Sequence, residues 1–226
     1  MVEERCRLNI GLLMFNPLPM PSVSLTQLIA AARSGDRLIS FPTDTLPALA
    51  VRPDRAALIF EAKQRSLDKP LILMGADATD LWEYVQGSAA EMEVWQSVAA
   101  QYFPGALTLV LPASDRLPIA MNPIDPTTIG IRVPHSGVAR YILTLTSPMA
   151  TTSVNRSGKP PLETLTDINT QFPEVSTLLP TELTELQGIL APFGHIPIKT
   201  AIPSTVAKWT GKGWQILRQG GVKLID

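Results

Sequence analysis

The chain has 226 residues, 45% of them hydrophobic, enough to bury a sizeable core in one domain. Nineteen Lys and Arg against 20 Asp and Glu leave a net charge of −1. With a pI near 6.1, this excludes the chain-wide basic field that dominates general nucleic-acid binding. The single cysteine, Cys6, excludes an internal disulfide or a cysteine-built metal cluster and fits a reducing compartment; His135 and His195 are too few for a histidine-rich metal site.

Arg5 and Arg7 ahead of the apolar residues 8–15 have the outline of a secretory signal. Asn9 interrupts the run, however, no small-residue cleavage pattern follows, and Pro17, Pro19 and Pro21 come next. Residues 1–22 are therefore expected to be a flexible extension, with Met14 or Met20 as alternative starts, and residues 23–226 a single domain. No stretch approaches the roughly 20 apolar residues that span a bilayer, so no membrane partner is expected and the location is read as cytoplasmic.

Ser24 reads as the N-cap of a helix with Leu25, Leu28, Ile29 and Ala32 on one face and Gly35 as its stop. A strand over 37–41 ends at Pro42, placing Thr43-Asp44-Thr45 where polar side chains meet a ligand. Asp54 is expected to cap a helix over 55–63 that buries Leu58, Ile59 and Ala62, with Arg65 at or beyond its end. Residues 71–74 read as a buried strand, and Ser88-x-x-Glu91 as a capping box opening a helix that Pro104-Gly105 ends. Strands are expected over 107–111, 128–133 and 149–154, with a helix over 138–145 between the last two. Residues 163–200 are the least legible, a weak helix over 165–172 and then Pro- and Gly-punctuated chain. Residues 205–209 and 214–217, joined by Thr210-Gly211-Lys212-Gly213, form a terminal hairpin. This alternation predicts an α/β sheet, mixed because the hairpin is antiparallel.

Two clusters carry the chemistry. Lys63-Gln64-Arg65 and Ser153-Val154-Asn155-Arg156-Ser157-Gly158 offer cations for phosphate or carboxylate oxygens and small side chains for neutral hydrogen bonds. Plainer readings stand beside them. Lys63 and Arg65 suit any helix C-terminus, Ser153 to Gly158 any turn, Thr43 and Thr45 a local cap, and Arg132 an edge-strand surface charge. Asp44 is read as a cap and left out of the site, His135 as support for the following helix, and the four tryptophans as packing. No P-loop, nucleophile elbow or paired-carboxylate motif occurs, so the chemistry must be positional and electrostatic.

The order of the blocks is more specific. Phe41-Pro42-Thr43-Asp44-Thr45 is followed by Lys63-x-Arg65-x-x-x-Lys69-Pro70-Leu71, Pro104-Gly105-x-Leu107-Thr108-Leu109 and Ile129-Gly130-Ile131-Arg132-Val133-Pro134-His135. Then come Ser153-x-Asn155-x-Ser157-Gly158, Ser204-Thr205-Val206 and Leu217-Arg218-Gln219-Gly220. From about residue 25 to residue 220 the chain resembles the YrdC-like family of L-threonylcarbamoyladenylate synthases, in its short single-domain form. The resemblance implies a twisted mixed sheet with helices around a positively charged cavity. It also implies an activity: L-threonine, bicarbonate or CO2, and ATP with Mg2+ give threonylcarbamoyl-AMP and pyrophosphate. The product would pass to a separate threonylcarbamoyl transferase complex that modifies tRNA position 37.

The same resemblance assigns roles. Lys63 and Arg65 are the catalytic basic pair near phosphates and carbamate; Thr43, Lys69, Arg132 and Ser204 contact L-threonine. Thr128, Ser153, Asn155 and Arg218 lie on the ATP side, and Thr108 borders the carbamate site. No protein side chain is assigned to metal. Three departures from the family pattern are visible: Pro47-Ala48 in place of Tyr-Gly, Val154 in place of Ala with bulk expected beside the nucleotide, and Ala191-Pro192-Phe193-Gly194 in place of Asp-Gly-Gly. The alternative is a YrdC-like protein that binds tRNA or double-stranded RNA without synthase activity. A carbamoyl-transfer module of hydrogenase maturation is a third reading, but it belongs to a larger chain with acylphosphatase and zinc-finger parts.

Overall fold

A computed structural model of the chain describes residues 21–194 and 202–224. Residues 1–20 of the expected extension, with Cys6, and His195 lie outside them. Pro21 and Ser22, assigned to that extension, belong to the fold: β1 (Ser22–Val23) pairs in parallel with β8 (Thr177–Leu178).

Helix α1 (Leu25–Ser34) begins as expected, with the Ser24 side chain accepting from Gln27 N in a capping box, and ends at Gly35 in the left-handed region, φ 73°. The strand after it, β2 (Ile39–Phe41), is followed by β3 (Ala48–Val51), which the sequence did not announce. The expected helix over 55–63 divides into a 3-10 turn (Pro53–Arg55) and α2 (Ala57–Lys63). Asp54 does not cap it, because its carboxylate accepts two hydrogen bonds from Arg52, at 3.0 and 2.7 Å. Next come β4 (Ile72–Met74), α3 (Ala89–Tyr102) on its Ser88–Glu91 capping box, β5 (Leu107–Pro112), β6 (Thr128–Arg132), α4 (Gly137–Thr146), β7 (Met149–Ser153) and α5 (Leu165–Gln171). The stretch read as irregular holds β8 and α6 (Pro180–Leu190), which starts at Pro180 with no side-chain cap. The hairpin is β9 (Thr205–Trp209) and β10 (Trp214–Arg218). No described helix is long and apolar enough to cross a membrane.

Eight strands form one mixed sheet in the order β10-β9-β5-β6-β4-β7-β3-β2. The β4–β6 and β5–β9 pairs are parallel and the others antiparallel. Strand alternation sends side chains to opposite faces. On one face Leu49, Val51, Leu73, Leu107, Leu109, Leu111, Ile129 and Ile131 form a core with Ile59 and Phe60 of α2, Trp95 of α3 and Ile168 of α5. Trp95, Trp209 and Trp214 meet edge-on there, with ring centroids 6.2 and 5.3 Å apart, and Trp209 Nε1 donates to Glu91 Oε1 at 3.0 Å.

The other face is covered unevenly. Leu28 and Ile29 of α1, Ile142 and Leu143 of α4 and Leu183 of α6 pack on Ile39, Phe41, Ala48, Ala50, Met74 and Met149. Those residues belong to β2, β3, β4 and β7. No residue of β5, β6 or β9 joins this second core, so the sheet is left open at that end of the face, and a ligand site can form directly on strands.

Candidate functional site

A cavity of about 440 Å³ occupies the uncovered half of that face. Its floor follows the strand period: Ile72 and Met74 of β4, Thr108 and Val110 of β5, Thr128, Gly130 and Arg132 of β6, and Val206 and Lys208 of β9. Four cations reach its wall, Arg65, Arg132, Lys208 and Arg218, against the carboxylates Asp68 and Asp125.

Arg132 is not an edge-strand charge. Strand β6 lies inside the sheet between β5 and β4, and the residue is 4% exposed. Its Nε donates to Gly105 O (3.1 Å), Nη1 to Thr45 Oγ1 (2.9 Å), and Nη2 to Asp44 Oδ1 in a buried ion pair of 2.6 Å. Asp44 is therefore no cap. The Pro104-Gly105 block gains a meaning too, since a Cβ on Gly105 would stand 2.5 Å from Tyr102 O and the Arg132 acceptor would have to shift.

Thr43 sits behind the wall: its hydroxyl donates to Leu46 O (2.7 Å) and accepts from Thr45 N (3.1 Å), holding the turn, while Thr45 reaches the cavity. Arg65 lines the cavity with Nε on Lys69 O (2.9 Å) and Nη2 on Pro70 O (3.2 Å), whereas the Lys69 side chain stands exposed outside the lining. Lys63 and Asn155 are also absent from the lining. Lys63 is 1% exposed, and its Nζ donates to Ser153 O and to Asn155 Oδ1 (2.9 Å). Asn155 Oδ1 further accepts from Ser153 Oγ (2.8 Å). The two clusters of the sequence thus meet, with Lys63 under the end of β7 and Ser153 on the cavity side. Burial first, and then the Arg65 charge, lower the Lys63 ammonium to about 7.

Arg156 turns away, its guanidinium bonded to Ala62 O and lying 4.5 Å over the Phe172 ring. Val154 does not add bulk beside a ligand, because its side chain is fully buried in the core on the opposite face.

On the far wall Thr108 Oγ1 and Ser204 Oγ are 2.9 Å apart, and Arg218 donates from Nε (3.1 Å) and Nη2 (2.8 Å) to Ser204 O. Gly220 lets this arrangement close, since a Cβ there would overlap the Pro203 carbonyl oxygen and the Ser204 carbonyl carbon. Gly220→Ala is expected to displace the Ser204 backbone and to cost about 1–3 kcal/mol in urea unfolding, the usual penalty of overpacking. An unchanged midpoint would mean that the loop yields freely. Thr128 completes the wall, accepting from Asn122 Nδ2 (3.3 Å) and donating to Asp125 Oδ2 (3.3 Å).

Burial lowers the Arg65, Arg132 and Arg218 guanidiniums from their ordinary value, with Asp44 opposing it at Arg132 and the Arg132 charge adding to it at Arg218. A guanidinium does not lose its proton in a protein, so all three remain cations. Hydrogen bonds from Thr127, its hydroxyl first, hold Asp125 below the usual carboxylate range.

The structure thus brings Arg65, Thr108, Thr128, Arg132, Ser153, Ser204 and Arg218 to one cavity and leaves Thr43, Lys63, Lys69 and Asn155 outside its lining. Sequence reasoning put Thr45 at a ligand-facing strand end without assigning it a role, left Asp44 out as a cap, and missed Asn122, Asp125 and Lys208. For Lys208 a signal existed, because positions 206 and 208 fall on one face of the expected strand, in period with Ser204 just before it. Asn122 and Asp125 lie in irregular chain with no period to read.

An open half-sheet with fixed guanidiniums on its floor is an arrangement that can hold small anionic molecules. The Sua5_yciO_yrdC family profile, described as telomere recombination, matches residues 31–220, and the chain belongs to that family. It is 36% identical over 129 residues to a threonylcarbamoyl-AMP synthase of Pyrococcus abyssi, covering 55% of this chain and 36% of that protein. To the threonylcarbamoyl-AMP synthase of Vibrio vulnificus strain YJ016 it is 30% identical over 167 residues, 72% of this chain and 88% of that protein. The solved structure of P. abyssi Sua5 complexed with L-threonine resembles it over 87% of this chain and 54% of that one, with a TM-score of 0.71 and 26% identity. The chain spans little more than a third of the length of the Pyrococcus and Bacillus subtilis relatives.

Proposed function

We propose that this protein is an L-threonylcarbamoyladenylate synthase, a nucleotidyltransferase that joins L-threonine, bicarbonate or CO2 and ATP into threonylcarbamoyl-AMP with release of pyrophosphate. The observation that carries the reading is the gathering of Arg65, Arg132, Lys208 and Arg218 on one cavity. The reaction must hold a carboxylate, a carbamate and a triphosphate together against their mutual repulsion, and fixed positive charge does so without an enzyme nucleophile. The names of the relatives support the same chemistry, as does the L-threonine complex of P. abyssi Sua5.

In this reading the threonine amine takes up CO2 as a carbamate, whose oxygen attacks the α-phosphorus while pyrophosphate leaves. Arg132, at the floor, takes the amino-acid carboxylate; Arg218, held by Ser204, and Arg65, held by the Lys69 and Pro70 carbonyls, take phosphate oxygens. Thr108 and Ser204 supply hydroxyls between them. Lys63 and Asn155 act by fixing Ser153 at the nucleotide side. Mg2+ would enter on the phosphates of ATP, its usual partners in such reactions. The product would go to a separate transferase complex acting on tRNA, and a cytoplasmic location suits that supply.

Pyrophosphate release from Mg·ATP and bicarbonate, with L-threonine present or omitted, tests the proposal. Threonine-dependent release together with the mass of the adenylate is expected. Folded protein that shows no turnover but binds RNA with a steep salt dependence would replace it with the RNA-binding reading.

A further inference from the structure

The geometry points to Asp44 as a positioning residue for this reaction: it turns the Arg132 guanidinium so that one N–H on each terminal nitrogen faces the substrate carboxylate. The inference rests on the synthase reading. A guanidinium carries five N–H groups, one on Nε and two on each Nη. Gly105 O, Thr45 Oγ1 and Asp44 Oδ1 take one from each nitrogen, at 3.1, 2.9 and 2.6 Å. Nη1 and Nη2 each retain one, and a planar carboxylate accepts two such N–H groups in parallel when both point into the cavity.

The partners come from two separate parts of the chain, the Asp44-Thr45 turn and Gly105, so the guanidinium is held from both before any ligand arrives. Asp44 itself is presented by a rigid turn, because the Thr43 hydroxyl ties Thr45 N and Leu46 O around it. The ion pair is almost fully buried, with side-chain exposures of 5% and 9%. Such a pair contributes little stability compared with apolar residues of the same volume, so its value here lies in direction. Asp44 also offsets part of the Arg132 charge, so the grip on a carboxylate draws on aim as well as on charge.

Aim and charge can be separated. Asp44→Glu keeps the charge and pushes the guanidinium along by one methylene; Asp44→Asn keeps the acceptor in place and removes the charge. Calorimetric titration of L-threonine, and separately of ATP, into wild type and both variants is the test. Positioning predicts that Asp44→Glu binds threonine about tenfold or more weakly while Asp44→Asn stays within about threefold, with ATP affinity of both within about twofold and melting still cooperative. Wild-type threonine affinity in folded Asp44→Glu overturns the inference, as does an equal loss of ATP and threonine affinity, which would mark a general collapse of the cavity. Weakening by Asn but not by Glu makes charge the agent and also overturns it, as does equal weakening by both, which positioning does not predict. Wild type that neither binds threonine nor turns over fails at the first arm, and the synthase reading falls together with the inference.

Discussion

Arg132→Ala is expected to abolish synthesis and also to destabilise the fold by about 3–5 kcal/mol, because it leaves the Asp44 carboxylate buried without its cation. Seen from the sequence alone, the same substitution should spare the fold, since an arginine on a strand is expected at solvent or ligand. Burial at the floor of the cavity changes that outcome. Against a total stability of roughly 5–15 kcal/mol for a domain, the loss is large enough to shift urea unfolding visibly. The double variant Arg132→Ala/Asp44→Asn removes the stranded charge and is expected to recover at least half of the lost stability while remaining inactive. If the single variant unfolds at the wild-type urea concentration, the pair contributes nothing and the burial argument fails.

Lys63 gives the second large effect. Its ammonium titrates near 7 in the folded protein, lowered by burial and then by Arg65, against an ordinary value of 10.5. Between those values the unfolded chain binds the extra proton, so stability rises with pH across this window, by up to about 1.4 kcal/mol per pH unit for one proton. Below about 7 both states are protonated and the penalty of burying the charge is complete. The hydrogen bonds survive the change, because a neutral amine still has two N–H groups for Ser153 O and Asn155 Oδ1. Lys63→Met should flatten the rise between pH 7 and 10 and cost about 1–3 kcal/mol at the alkaline end for an acceptor left unpaired. Urea midpoints taken at unit pH intervals decide it; parallel curves for wild type and variant would mean that another group drives the pH dependence.

The parts of the fold legible in the sequence were those with local chemistry. Ser24 as an N-cap, and Ser88 with Glu91 as a capping box, need no tertiary context, and Gly35 is a left-handed stop. The hairpin was legible from Thr210-Gly211-Lys212-Gly213, with four residues between two runs of β-branched and aromatic side chains. Strand β3 was missed because its four buried residues, Ala48 to Val51, show no polar alternation, being covered on both faces. Helix α6 was missed because Pro180 opens it without a capping side chain and its apolar pattern buries only Leu183.

In the site the pattern is similar. Motif blocks placed seven residues on one cavity, but which side chains look inward depends on pairing that no single segment contains. Lys63 and Asn155 belong to blocks that read as ligand contacts, yet their partners are each other. Asp44 looked like a cap because its partner, Arg132, lies 88 positions away.

The edge-on indoles of Trp95, Trp209 and Trp214 give the molecule an optical property of its own. Neighbouring indoles at 6.2 and 5.3 Å couple through their intense far-ultraviolet band, so the circular dichroism there should carry a paired signal that a lone tryptophan lacks. The coupling runs from helix α3 across β9 to β10, the hairpin that brings Ser204, Lys208 and Arg218 to the cavity. Any ligand that tightens or loosens the seating of that hairpin therefore writes its effect into the protein's own spectrum, readable without a label.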